Sequence, residues 1–241
     1  MKKAALLAVL AVAWTAWSAQ ACTTNAECDD ANVCNGAETC QAGVCIPGIG
    51  ITCNDGSACT LDSCDAIAGC VYTTTTACPM SGKKMRLGAG RELRMGIQTA
   101  PDLAGAAFPT NNTDDDPVLN GASLRVYTTA GDVFDNTYPL PKHNWTYFGS
   151  QGENRGYRYK DFHNVDGPIN TIFLRAGRQN KIKARGPLLN FSLHLDPEPV
   201  SVVLRFGNAG RQYCLEYGGR TKFYADVRFA AVAAPQATHC P

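Results

Sequence analysis

Ten of the chain's twelve cysteines fall between Cys22 and Cys78, and nothing else in the sequence restricts the fold as tightly. A segment this short and this poor in large apolar residues cannot build a core alone, so covalent staples must hold it. The cysteines recur. From Cys28 to Cys53 the gaps hold 5, 5, 4 and 7 residues, and from Cys53 to Cys78 they hold 5, 4, 5 and 7. Each segment spans 25 residues, and the two open alike, Cys28-Asp29-Asp30 against Cys53-Asn54-Asp55. Each also carries a glycine just before its fourth cysteine, Gly43-Val44-Cys45 and Gly69-Cys70. The module is a tandem repeat.

Disulfides among Cys22, Cys28, Cys34, Cys40, Cys45, Cys53, Cys59, Cys64, Cys70 and Cys78 are the expected staples. A thiolate metal site is the competitor, but it favours two-residue gaps, and the chain has no Cys-x-x-Cys and the module no histidine. Ten cysteines pair in on the order of a thousand ways, and spacing selects none of them. Five precede Cys53 and five run from it onward, so full internal pairing needs at least one bridge between the halves.

The stretch from Cys28 through Cys34-Asn35-Gly36 to Cys40 resembles the extracellular cysteine-rich repeats of slime-mould matrix proteins and secreted bacterial proteins. Asn54-Asp55-Gly56-Ser57-Ala58-Cys59-Thr60-Leu61-Asp62-Ser63-Cys64-Asp65 resembles them more closely. A more distant similarity to disintegrin-like modules runs through Glu27-Cys28-Asp29 and Cys34-Asn35-Gly36. The resemblance covers about a quarter of the chain. It implies matrix, adhesion or spacer roles and no catalytic residue.

At the N-terminus, Lys2 and Lys3 precede an apolar run from Ala4 to Trp14, and Ala19-Gln20-Ala21 offers a small-x-small cleavage site. Residues 1–21 therefore read as a signal peptide, followed by a module at 22–78 and a domain at 79–241. A lipid-anchored Cys22 is the rival reading, although Ala19 stands where that signal prefers a large aliphatic residue. No later apolar run is long enough to span a bilayer. The expected location is secreted, extracellular or cell-surface. Overall net charge is +1, but residues 22–78 hold seven acidic and no basic residues, while 79–241 hold twenty basic and fourteen acidic. A −7 module thus joins a +6 domain, which points to charged partners, to docking, or to plain solubility. Asp29, Asp30, Asp55, Asp62 and Asp65 are hard oxygen ligands of the kind calcium takes, without an EF-hand spacing. Calcium is the one ion these carboxylates suggest, and no other cofactor is expected.

After Cys78-Pro79 the signal changes to a period of two. Leu93/Met95/Ile97, Leu189/Phe191/Leu193/Leu195, Val200/Val202/Leu204/Phe206 and Phe223/Ala225/Val227/Phe229 all alternate with polar neighbours. Asn120-Gly121, Gly131-Asp132, Asp166-Gly167-Pro168, Asp196-Pro197, Gly207-Asn208 and Gly218-Gly219 supply turns. About nine strands are expected, in a β-sandwich of jelly-roll type. Pro101 to Pro117, with its Asp114-Asp115-Asp116 run, reads as a surface loop. Cys214 and Cys240 are expected to pair. The ending Phe223, Ala225-Asp226, Phe229, Ala234-Pro235 and Cys240-Pro241 resembles the tails of uncharacterised secreted bacterial β-domains, and this implies no activity.

Two clusters are candidate ligand sites. A hairpin centred on Gly152 would set Tyr147 against Tyr157, Trp145 against Tyr159 and His143 against Asp161, an aromatic ladder for stacking on sugars or for lining the core. Lys181, Lys183 and Arg185 share one strand face, flanked by Arg175 and Arg178, a stripe for phosphate or anionic polysaccharide or a protected sheet edge. Nucleophile-elbow, zinc-protease and nucleotide-loop motifs are absent, and only paired carboxylates such as Glu153, Asp161 and Asp166 keep a glycosidase open. Asn111, Asn144 and Asn190 sit in glycosylation-type triplets. The all-β reading is thus a small disulfide-rich module before a β-sandwich. Its expected function is extracellular, structural or adhesive, binding glycan or a cell surface. A secreted polysaccharide hydrolase is the alternative.

Overall fold

Small repeats without a core must be held by their bridges, and the pairing shows how. The computed structural model describes residues 21–54, 59–75, 77–101, 108–207, 210–237 and 240. The leader reading of residues 1–20 and the calcium candidate Asp55 lie outside them. All twelve cysteines pair, as Cys22–Cys40, Cys28–Cys45, Cys34–Cys64, Cys53–Cys70, Cys59–Cys78 and Cys214–Cys240. In each repeat the first and fourth cysteines join, 28 to 45 and 53 to 70. The second cysteine of the first repeat, Cys34, joins the third of the second, Cys64. That is the single bridge across the repeat boundary. It leaves Cys40 and Cys59 without repeat partners, and the flanking Cys22 and Cys78 take them up. Six disulfides indicate an oxidising environment.

The chain divides into two compact units, Met1–Cys53 with Ser63–Val71, and Asn54–Asp62 with Tyr72–Pro241. The sequence placed the change at Cys78. The units instead part inside the second repeat, because Cys59 and Cys78 are fully buried in the hydrophobic core of the larger unit. In the smaller unit, β1 (Thr39–Gln41) and β2 (Val44–Ile46) form a hairpin. Its turn residues Ala42 and Gly43 both have positive φ, 52° and 84°, as a two-residue primed turn requires. β3 (Thr60–Asp65) and β4 (Gly69–Thr74) form a second two-stranded ribbon.

The larger unit is a two-sheet sandwich. Its strands are β5 (Ala77–Pro79), β6 (Ser81–Ala89), β7 (Leu93–Thr99), β8 (Ala122–Thr128), β9 (Asp135–Leu140) and β10 (Trp145–Tyr147). They continue as β11 (Gly156–Lys160), β12 (Ile169–Arg175), β13 (Lys181–Arg185), β14 (Val200–Phe206), β15 (Gln212–Tyr217), β16 (Thr221–Tyr224) and β17 (Arg228–Gln236). One sheet has the order β10-β11-β12-β13-β7-β6-β17-β16 and the other β5-β15-β14-β8-β9. All pairs are antiparallel except β15 with β5. One core lies between the sheets. Met85, Leu87, Met95, Ile97, Ile172 and Phe229 enter it from the eight-stranded sheet, and Leu124, Val202, Phe206, Tyr213 and Tyr217 from the other. Gly82 marks how closely the layers pack, since a Cβ there would meet the Tyr217 ring at 2.5 Å. The outer face of the five-stranded sheet is partly covered, because Ala237 and Cys240 pack on Val203, Cys214 and Tyr127.

Three expectations change. Leu189 to Leu195 forms no strand. Pro187–Leu189 is a 3-10 turn, Asn190 is left-handed (φ 48°), and the irregular chain still buries Leu189, Phe191 and Leu193. Pro187 opens the 3-10 turn, and the left-handed Asn190 breaks the extended run that the alternation implies. Phe223 to Phe229 is a hairpin rather than one strand. Asp226 takes φ 59°, a conformation Asp tolerates, and Phe223 then faces Phe229.

The third change is the acidic loop. Pro117–Asn120 is a short helix, α1, and its N-cap Asp116 is fully buried. The Asp116 carboxylate accepts bonds from the Val118 N–H (2.9 Å), the Asn112 N–H (2.8 Å) and the Tyr147 hydroxyl (2.8 Å). Burial, and then this carboxylate, push the Tyr147 phenol up to about 12. Asp115 forms a largely buried pair with Arg211 at 2.7 Å. Asp116→Ala leaves three donors without their acceptor. It is expected to cost about 3 kcal/mol, read as a melting point about 6–12 °C lower.

Candidate functional site

The Gly152 hairpin forms in the register its alternation implies, with Trp145 opposite Tyr159 and Tyr147 opposite Tyr157. Its aromatic face points inward. Trp145 is 2% exposed, Tyr157 and Tyr159 are fully buried, and Tyr147 is half-buried against Asp116. The Trp145 indole donates to the Leu140 carbonyl (3.1 Å) and stands edge-on to Tyr159. These rings cannot form an exposed sugar platform. The His143–Asp161 pair does not form either, because Lys142–Asn144 is a 3-10 turn that leaves the strand. His143 bonds Asp166 at 2.8 Å, while buried Asp161 accepts from the Val165 and Asp166 N–H groups.

Lys181, Lys183 and Arg185 fall as the alternation demands, exposed, with Ile182 and Ala184 buried beneath. β13 lies inside the eight-stranded sheet, between β12 and β7. Edge protection therefore does not account for its charge. The strand register extends the stripe into rows across the sheet. One row runs Lys160, Thr171, Lys183, Gly96, Arg86, Ala230, Lys222. The next runs Arg158, Phe173, Lys181, Gln98, Lys84, Val232. A third runs Arg185, Arg94, Gly88, Arg228, Tyr224, with Arg185 directly opposite Arg94. The first two rows set a cation on every second strand, about 9.5 Å apart at the normal strand spacing.

The eight strands of this sheet hold twelve Lys and Arg residues and no Asp or Glu. The five strands of the other sheet hold Arg125 and Arg205 against Asp135 and Glu216. Aromatic rings do lie on the basic face, but other ones than the ladder. The Arg175 guanidinium sits 4.4 Å from the Phe148 ring centre and Arg228 4.7 Å from Tyr224, while Phe148 stacks near Phe173. Two adjoining hollows cross the face. One is lined by Arg86, Gly88, Arg94, Gly96, Lys183 and Arg185, the other by Lys84, Arg220, Lys222 and Ala230, and Arg86 and Arg228 border both.

No family model, curated protein or solved structure matches this chain.

The remaining candidates do not assemble. Among the described residues, the carboxyls with shifted pKa values, Glu27, Asp65, Asp132, Asp135 and Asp166, are all lowered. A glycosidase acid needs the opposite shift. Asp135, beside Glu92 in a surface hollow, is held down by a two-pronged bond to Arg125 at 2.7 Å. Glu153 pairs with Arg155 at 3.5 Å and accepts from the Ser150 N–H at 3.1 Å. Of the calcium candidates, Asp65 accepts bonds from the Ile67 and Ala68 N–H groups, and Asp62 lies on β3. Asp29 and Asp30 do converge, with Glu38, which the sequence reading passed over, so that one oxygen from each lies within 4.8 Å of the others. Both aspartates also cap local turns through the Ala31 and Asn32 N–H groups. Among the described residues no helix is long and apolar enough to cross a membrane.

Proposed function

We propose that this chain is a secreted adhesive protein whose eight-stranded sheet binds anionic polysaccharide on its outer face. The observation that carries the reading is the charge segregation, twelve cations and no anion in eight strands. Like charge gathered on one face costs stability, and charges directly opposite each other, as Arg185 and Arg94 are, repel, with the partly exposed Glu92 carboxylate, 3.6 Å from Arg94, to offset that pair. A fold accepts that cost readily when a polyanion neutralises it. Carboxylate and sulfate groups suit guanidinium forks, and Phe148, Phe173 and Tyr224 offer apolar faces to sugar rings. The disulfides support an extracellular setting.

The test is retention of the full oxidised chain on polyuronate, sulfated-polysaccharide, neutral-glucan and single-stranded DNA columns. Retention on both charged glycans, released by salt, with none on the neutral matrix, is the expected result. Lys183→Glu combined with Arg86→Glu is expected to weaken binding by about tenfold or more, with the melting point unchanged within a few degrees. No retention on either charged glycan sinks the reading. Retention on DNA alone moves the ligand class to nucleic acid.

A further inference from the structure

Gly96 sits at the centre of β7 and Gly88 one residue before the end of β6, both paired within the sheet, where glycine weakens it. Neither has a positive φ, so no turn geometry demands glycine there. Packing does not demand it either. A Cβ on Gly96 would meet nothing within 4 Å, and one on Gly88 only the Arg94 Cβ at 3.9 Å. Gly82, on the same strand as Gly88, is the contrast, since its missing Cβ makes room for Tyr217. These two glycines leave open space on the outer face, and cations border that space. Gly96 lies between Arg86 and Lys183, and Gly88 between Arg94 and Arg228.

We propose that Gly88 and Gly96 floor a trough in which an anionic polysaccharide chain crosses the sheet, its axis perpendicular to the strands. This deepens the polysaccharide reading and rests on it. Without side chains at these two points, sugar rings reach the backbone surface, and Lys183 and Arg86, which flank Gly96 along its row, with Arg94 and Arg228, which flank Gly88 along its own, reach up to the carboxylates or sulfates. The adjoining hollow over Ala230 continues the trough, so it runs from β13 to β16. Five strands span about 19 Å, room for roughly two disaccharides. Cations on alternate strands recur at about 9.5 Å, close to the length of one disaccharide. The preferred ligand is therefore a polymer with an anionic group in register on each disaccharide.

Gly96→Val tests this, because it fills the floor while supplying a better strand former. The variant is expected to melt at or above the temperature of the parent chain. Its affinity for a polyuronate or sulfated tetrasaccharide is expected to fall at least tenfold, with Gly96→Ala losing less and Gly88→Val losing as much. Unchanged affinity in folded Gly96→Val and Gly88→Val overturns the trough and leaves the basic face standing. Failure of the parent chain to bind any charged glycan overturns both readings. If Gly96→Val does not fold, Gly96→Ala and Gly88→Val decide the matter by the same measurement.

Discussion

Trp145→Ala is expected to destabilise the sandwich by about 3–5 kcal/mol, a melting point lowered by about 6–20 °C. Below that temperature its retention on charged glycan columns should match the parent chain. The indole is 2% exposed, packs on Tyr159 and Phe206, and donates to the Leu140 carbonyl. Alanine removes the ring and leaves a cavity between the sheets, and it also removes a donor to the Leu140 carbonyl. A surface sugar platform would give the opposite result, lost binding with little change in stability. Thermal unfolding followed by far-UV circular dichroism, together with column elution salt, separates the two. A stable variant with lost retention would return Trp145 to the ligand site.

Period-two patterning made the hairpin legible and left its facing undecided. Alternation fixes which residues share a face, so Trp145 with Tyr159 and Tyr147 with Tyr157 could be paired by counting. Which face meets the core depends on the partner layer, and Phe206 and Tyr213 of the other sheet settle it. The basic face was legible only in its middle. Lys181, Lys183 and Arg185 are neighbours in sequence, whereas Arg86, Arg94 and Arg228 join them only through long-range pairing. A signal for them did exist, because the segments that become this sheet's strands lack Asp and Glu, with Asp226 falling in the turn between two of them. Asp116 was misread for a related reason. An acidic run suggests solvent, and its burial is supported by donors from Val118, Asn112 and Tyr147 that local sequence does not reveal.

The Cys34–Cys64 bridge is where the disulfide logic can be broken with the most specific consequence. Replacing both cysteines by serine is expected to cost about 3–4 kcal/mol in the smaller unit, since this bridge closes the longest loop of the module, a separation of 30 residues. It is also the one covalent link between repeats besides the chain itself. The Val33 N–H to Ala66 carbonyl bond (2.9 Å) is left to hold Cys34 near Asp65. The larger unit keeps Cys59–Cys78, Cys214–Cys240 and its whole core. In a chain begun at Cys22, Trp145 is the one tryptophan, so its fluorescence reports that core. The double variant should therefore show early proteolytic cutting between Ile46 and Cys53, an unchanged Trp145 unfolding midpoint and unchanged retention on charged glycan. A midpoint that falls with the cut would mean that the repeats stabilise the sandwich, and a protease-resistant variant would mean that the crossing bridge is not what holds the first repeat.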